Sequence, residues 1–197
     1  MEAPADFTIL VILAKCEHTP HTWTLCLNMK LVTLIPFCLV LLGCSSSQSY
    51  VNALNSSNAR GRFIFTLEPS SDNVRIVKRG PHRNETRDPN NREIFRISLN
   101  EIAKETKLNI EYYGELGLSS EQATHVSCEL MSAEWIFTLS SATMVTKFKY
   151  IVEGKEYFIN GEHKNMTGGT KSNNLLKSII NANYKFLIQV TNQVEPI

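Results

Sequence analysis

Imidazoles, thiols, paired carboxylates and glycine-rich phosphate loops build most reactive sites, and this chain carries each type in a different arrangement. His82, His125 and His163 each lack another His, Cys or clustered carboxylate at ligand spacing. A metal site needs three or four converging ligands, so the expectation is no metal. Gly168-Gly169-Thr170-Lys171-Ser172 has the composition of a phosphate loop. A P-loop, however, requires Gly directly before the Lys and a second Gly five residues earlier, and here those positions hold Thr170 and Asn165. The run reads instead as a turn feeding a capped helix. Glu101, Glu105, Glu129, Glu134, Glu153, Glu156 and Glu162 are scattered, and no Ser lies within G-x-S-x-G, the strand-turn-helix signature of a nucleophile elbow. The expectation is therefore no catalytic residue, no cofactor and no enzyme. Arg75, Lys78, Arg79, Arg83, Arg87 and Arg92 surround a polar stretch that also holds Asp72, Glu85 and Asp88. They read as a solvated loop, or as a contact for an anionic partner whose binding would weaken with salt.

The most distinctive reactive side chain is Cys44. The segment from Met29 reads MKLVTLIPFCLVLLGC, with one cation, Lys30, then an apolar run from Leu31 to Leu42 and Gly43-Cys44-Ser45. A charged start, about 7 to 15 apolar residues and a small residue before the cut are the parts of a secretory signal peptide. Twelve residues fall short of the about 20 that a spanning helix needs. Leu41-Leu42-Gly43-Cys44 resembles the lipobox of bacterial lipoproteins. That resemblance implies that Cys44 is lipidated, that the chain is cut before it and that its new amino group is acylated. One acyl chain binds a membrane marginally and two or more anchor stably. Residues 1–28, with Glu2, Asp6 and Glu17, do not fit an n-region and are read as an over-extended start; 29–43 are read as the lipoprotein signal peptide.

Length and composition agree with one domain beyond that cut. The chain has 197 residues, 43% hydrophobic and 20% charged, with net charge +1. Near-neutrality lacks the electrostatic footprint of a nucleic-acid binder. Removing residues 1–43 leaves 154 residues with formal charge +2, enough to build a core without staples. Cys16, Cys26 and Cys38 are lost with the leader, so Cys128 has no partner for a disulfide and reads as a buried small hydrophobe.

The elements that position these groups follow from periodicity. Residues 44–61, rich in Ser and Asn, read as a flexible tether. Arg62 to Glu68 alternates as a strand, Val74 to Lys78 forms a short second one, and 79–91 form an exposed loop. Phe95, Leu99, Ile102, Ala103 and Thr106 are spaced as a helix with Asn90 or Asn91 as cap, followed by a strand at Asn109 to Tyr113. Val126, Cys128 and Leu130 alternate, as do Trp135, Phe137 and Leu139, with a phase break near Ser132-Ala133 that predicts a bulge or turn. Met144 to Val152 and Glu156 to Gly161 form a hairpin about Glu153-Gly154-Lys155. Leu175, Leu176, Ile179, Ile180, Phe186, Leu187 and Val190 form the stripe of a closing helix. The prediction is an α+β two-layer sandwich over 62–192, a mainly antiparallel sheet with two helices packed on one face, and a tail at 193–197.

This order of elements, with REIFRISLNEIAKETKLNI and GGTKSNNLLKSII, resembles small bacterial outer-membrane lipoproteins of the YajG type. SLNEIAKETKLNIEY also resembles the helix-strand unit of small periplasmic domains in secretins and TonB-dependent receptors. The first resemblance implies a non-catalytic interaction or assembly accessory in the cell envelope, held in the membrane through Cys44 and, with Ser45 following, sorted to the outer membrane facing the periplasm. An envelope protein partner is the expectation. The alternative is a lipid- or small-ligand-binding accessory of an envelope transport system, using a groove between helices and sheet. The oligomeric state is left open.

Overall fold

A computed structural model describes residues 45–57, 61–81, 87–114, 123–166 and 169–192. They belong to one compact unit, Ser45–Ile197. The expectations for residues 1–44, including lipidation of Cys44, and for the tail at 193–197 lie outside the described residues. Helix α1 (Ser45–Ser56) leads into β1 (Arg62–Leu67), a 3-10 turn (Pro69–Asn73) and β2 (Ile76–Arg79). Then follow α2 (Asn91–Glu105), β3 (Asn109–Tyr113), β4 (Ala123–Phe137), β5 (Ala142–Val152), β6 (Lys155–Asn165) and α3 (Lys171–Thr191).

The class is α+β, but the sheet is mixed, with order β3-β1-β4-β5-β6 and β2 beside β4. β1 runs parallel to both β3 and β4, β2 runs parallel to β4, and only the β4–β5 and β5–β6 pairs are antiparallel. This corrects the mainly antiparallel expectation. Alternation reports which face a side chain takes and not the direction of the neighbouring strand. The crossover through α2 is what lets β3 return parallel to β1.

A second correction is α1, because residues 45–56 are a helix rather than part of a tether. Its composition would leave it marginal in isolation, since a free helix of 12 residues is barely stable. Tertiary contacts hold it. Tyr50 stacks on Tyr184 at 5.7 Å, Val51 and Leu54 are buried, and Asn55 Oδ1 accepts from the Lys107 amide at 2.9 Å. The described residues thus contain three helices, not two.

β1 and β2 lie end to end along the same edge of β4, interrupted by the 3-10 turn. Opposite the interruption, β4 slips register between Leu130 and Ser132. The buried Ser71 hydroxyl fills the gap, accepting from the Leu130 amide at 2.9 Å, while the Glu68 amide donates to the Cys128 carbonyl at 2.8 Å. The extra residue shifts the side-chain phase, so that Cys128 and Leu130 before it and Ala133 and Trp135 after it are all buried. The phase break is therefore a bulge inside one 15-residue strand. The β5–β6 hairpin is as expected: Val152 pairs with Lys155, and Glu153 and Gly154 have φ of 50° and 78°, as a tight two-residue connection demands.

Between sheet and helices the core is aromatic. Phe186 stacks on Tyr150 at 4.1 Å and meets Phe65 at 6.0 Å, and Phe95 packs against Phe148 at 5.7 Å. α3 lies so near β6 that a Cβ on Gly161 would come within 2.1 Å of the Ser178 carbonyl oxygen. Fully buried polar groups cross the same interface. Tyr150 Oη donates to Asn183 Oδ1 at 2.7 Å, and Asn183 Nδ2 donates to Ser98 Oγ at 3.0 Å. Ser98 Oγ in turn donates to the Phe95 carbonyl at 2.6 Å, so one amide joins β5, α3 and α2. Each buried group left unpaired costs about 1–3 kcal/mol. Asn183→Ala strands Tyr150 and should lower unfolding free energy by at least about 2 kcal/mol in urea titrations; a loss below about 0.5 kcal/mol would show that the network is not stabilising.

Candidate functional site

The polar stretch before α2 forms a charged concavity large enough to admit a small molecule. It begins with helix capping. Asn90 Oδ1 accepts from the Glu93 amide at 3.0 Å. The next residue, Asn91, is buried and donates Nδ2 to the carbonyls of Ser71 and Val74 at 2.8 and 2.9 Å. Asn91 therefore clamps the β1–β2 interruption to the start of α2, while its buried Oδ1 has no partner among the described residues.

Arg92 secures the other wall. Its guanidinium bonds Asp72 Oδ2 at 2.8 and 3.1 Å, and it also donates to the Tyr112 hydroxyl at 3.2 Å and the Gly114 carbonyl at 3.2 Å. The Asp72 contact is the largest cause of the raised Arg92 pKa. Asp88 accepts from the buried Lys171 ammonium at 2.8 Å and lies 3.9 Å from Arg75, whose side chain is 84% exposed. The resulting cleft of about 540 Å³ is lined by Asp72, Arg75, Arg87, Asp88, Asn91 and Arg92, among others. Arg92 is occupied as a structural fork, and Asp88 is shared between Lys171 and Arg75. Arg75 and Arg87 are the cations placed to meet an incoming anion, against the opposing charge of Asp72 and Asp88 in the same lining.

The structure brings together only part of the basic cluster. Arg75, Arg87 and Arg92 converge on the cleft. Lys78 sits over the Trp135 ring at 5.8 Å, Arg79 pairs with Glu134 at 3.0 Å, and Arg83 lies outside the described residues. The GGTKS run behaves as a cap: Thr170 Oγ1 accepts from the Asn173 amide at 3.2 Å. Its Lys171, paired with Asp88, ties the start of α3 to the cleft. Nothing in the sequence marks that ion pair, because 82 residues separate its partners. Ser71 and Asn91 were equally silent, as their roles rest on a gap in the β4 ladder.

The remaining candidates sit apart. Cys128 is a free, fully buried thiol whose pKa burial pushes well up, in line with its reading as a small hydrophobe. His82 lies outside the described residues. His125 is on β4 beside Ile64 of β1, with a buried Nε2 that has no partner among the described residues. Glu101 pairs with Lys177, Glu156 with Lys149, and Glu105 accepts from the Tyr184 hydroxyl at 2.6 Å. Among the described residues no group of three or more His, Cys, Asp or Glu is placed to hold a metal ion.

No protein-family model matches the chain and no curated protein matches it. Solved structures with a similar outline include an uncharacterized protein, at 6% identity and TM-score 0.35, covering 68% of this chain and 92% of that one. A hypothetical protein from Chlamydia trachomatis follows at 9% identity and TM-score 0.31, covering 67% and 94%. A third, from Helicobacter pylori, is described as a neuraminyllactose-binding hemagglutinin homolog, at 9% identity and TM-score 0.28, covering 69% and 84%. At these values the likenesses assign neither function nor ligand.

Two outcomes follow from this geometry. Arg92→Ala frees Asp72 and opens the strand ends, and is expected to cost about 1–3 kcal/mol of stability, with Arg92→Lys recovering only part because an ammonium cannot span the same acceptors. Full recovery by Lys would show that charge alone matters. His163 is held below its ordinary pKa by burial and, secondarily, by Lys177. The unfolded chain therefore binds more protons below about pH 6.5, so this contribution is present above that pH and is lost as pH falls through the folded pKa. The urea midpoint of His163→Gln should fall less than that of the parent between pH 7 and 5, and parallel declines would refute the assignment.

Proposed function

We propose that the protein is a membrane-anchored bacterial envelope lipoprotein, lipidated on Cys44, that serves as a non-catalytic interaction or assembly accessory. The observation that carries this reading is a juncture. Cys44 closes a 12-residue apolar run that ends in the lipobox-like LLGC, and the compact unit starts at the next residue, Ser45. A cut before Cys44 would thus release the whole folded unit with the acylated residue at its edge. Among the described residues no helix is long and apolar enough to cross a membrane, and acyl chains on Cys44 would supply the attachment. The periplasmic face of the outer membrane is the proposed location, on the resemblance to YajG-type lipoproteins and on Ser45.

The cleft favours a second reading, a small-ligand-binding accessory of an envelope transport system. The ligand would be polar and anionic rather than apolar, because the helix–sheet interface is filled by Phe65, Phe95, Phe148, Tyr150 and Phe186. The test of the first reading is Cys44→Ser. The parent should partition into the detergent phase of a Triton X-114 extraction of expressing bacteria, and the variant into the aqueous phase. Detergent partitioning that survives the substitution would defeat the lipoprotein reading and leave the cleft intact as a binding site.

A further inference from the structure

We infer that the outer edge of β6 is a surface through which two copies of this chain can join, and that α3 holds it shut. β6 ends the sheet, and among the described residues no strand pairs with its outer side. Which of its backbone groups point outward follows from the hairpin. Val152 and Lys155 close a two-residue connection, and in such a hairpin the closing pair exchanges both backbone bonds. The pairing with β5 then runs to Asn165 without a register shift. The odd-numbered residues of β6 therefore bond to β5, while Glu156, Phe158, Asn160, Glu162 and Lys164 turn their amides and carbonyls outward. An open row of this kind is a template for another strand, and Phe158, 64% exposed, adds an apolar side chain to it.

Two side chains of α3 interrupt that row. Lys185 Nζ donates to the Asn160 carbonyl at 2.9 Å, and Asn181 Oδ1 accepts from the Glu162 amide at 3.1 Å. Four residues apart, they share one side of α3, and the helix that carries them is fixed by the burial of Ala182, Asn183, Tyr184 and Phe186.

The occupant that fits this edge is a second β6. Antiparallel pairing of two such strands, centred on Asn160, aligns their outward groups and sets Glu156 opposite Lys164 at both ends, with no like charges facing each other. In that register the Asn160 carbonyl would accept from the Asn160 amide of the second copy, and the Glu162 amide would donate to the Phe158 carbonyl of that copy. These are the central bonds of the joint. They use the two groups that Lys185 and Asn181 already occupy, so the joint forms only when those side chains are displaced.

The test is the mass of the full chain by sedimentation equilibrium in a density-matched detergent, where the protein alone contributes. The parent is expected at the mass of one chain. Asn181→Ala with Lys185→Ala removes both contacts and leaves a good helix former at each position; it is expected to double the mass with an unchanged circular dichroism spectrum. Lys164→Glu added to that pair sets carboxylates against each other across the joint and is expected to return the mass to one chain. Lys185→Met alone keeps the aliphatic stem on the helix and frees the central carbonyl, and a mass between the two is expected. A parent already at twice the chain mass, folded variants that stay at one, or a dimer indifferent to Lys164→Glu would each overturn the inference.

Discussion

The close approach of α3 to the sheet is the constraint on which the rest of the domain depends. It is possible because β6 places Gly161 opposite Ser178 and Ala182, where any side chain would collide with the helix backbone. Once α3 is down, a single turn of it serves three neighbours. Asn183 bonds β5 and α2, Tyr184 receives α1 and Glu105, and Phe186 enters the aromatic layer against Phe65, Tyr150 and Tyr157. The apolar contacts supply the drive and the amide of Asn183 supplies direction. A layer of stacked rings tolerates small slips, whereas a buried amide with two partners is satisfied in one register.

The same principle operates at the strand interruption. A missing ladder position between β1 and β2 exposes backbone groups in a region with no access to water, and each is answered by a short polar side chain: Ser71 for the Leu130 amide, Asn91 for the carbonyls of Ser71 and Val74. Closing that gap draws the start of α2 and the fork of Arg92 to the ends of β1 and β3. The charged cleft is a by-product of this repair, located where the chain passes from β1 to β2 and on to α2.

These features differ in how far they could be read in advance. The β5–β6 hairpin was legible because strict alternation meets a Glu-Gly pair suited to positive φ, and α3 was legible from its apolar stripe and Thr170 cap. The bulge in β4 showed as a phase change between Leu130 and Ala133. Parallel pairing of β1 was illegible, since alternation is the same in either direction. α1 was illegible for a different reason: only Tyr50, Val51 and Leu54 give it an apolar side, and the surface they need is built around Tyr184, 134 residues away. At the cleft, the local composition of arginines and aspartates was plain, but which of them converge depended on Asn91 and on Lys171 reaching Asp88. Cys44 was legible only as a motif, through the apolar run before it.

The proposed lipid on Cys44 would join the fold at the first residue of α1. Everything in that picture depends on where the mature chain starts and what its first residue carries. The most direct measurement is mass spectrometry of the amino-terminal peptide of the protein extracted from bacterial membranes. The account predicts a peptide that begins at Cys44 and bears a diacylglyceryl thioether with an acylated amino group. An unmodified peptide that runs through Gly43-Cys44-Ser45 would contradict it.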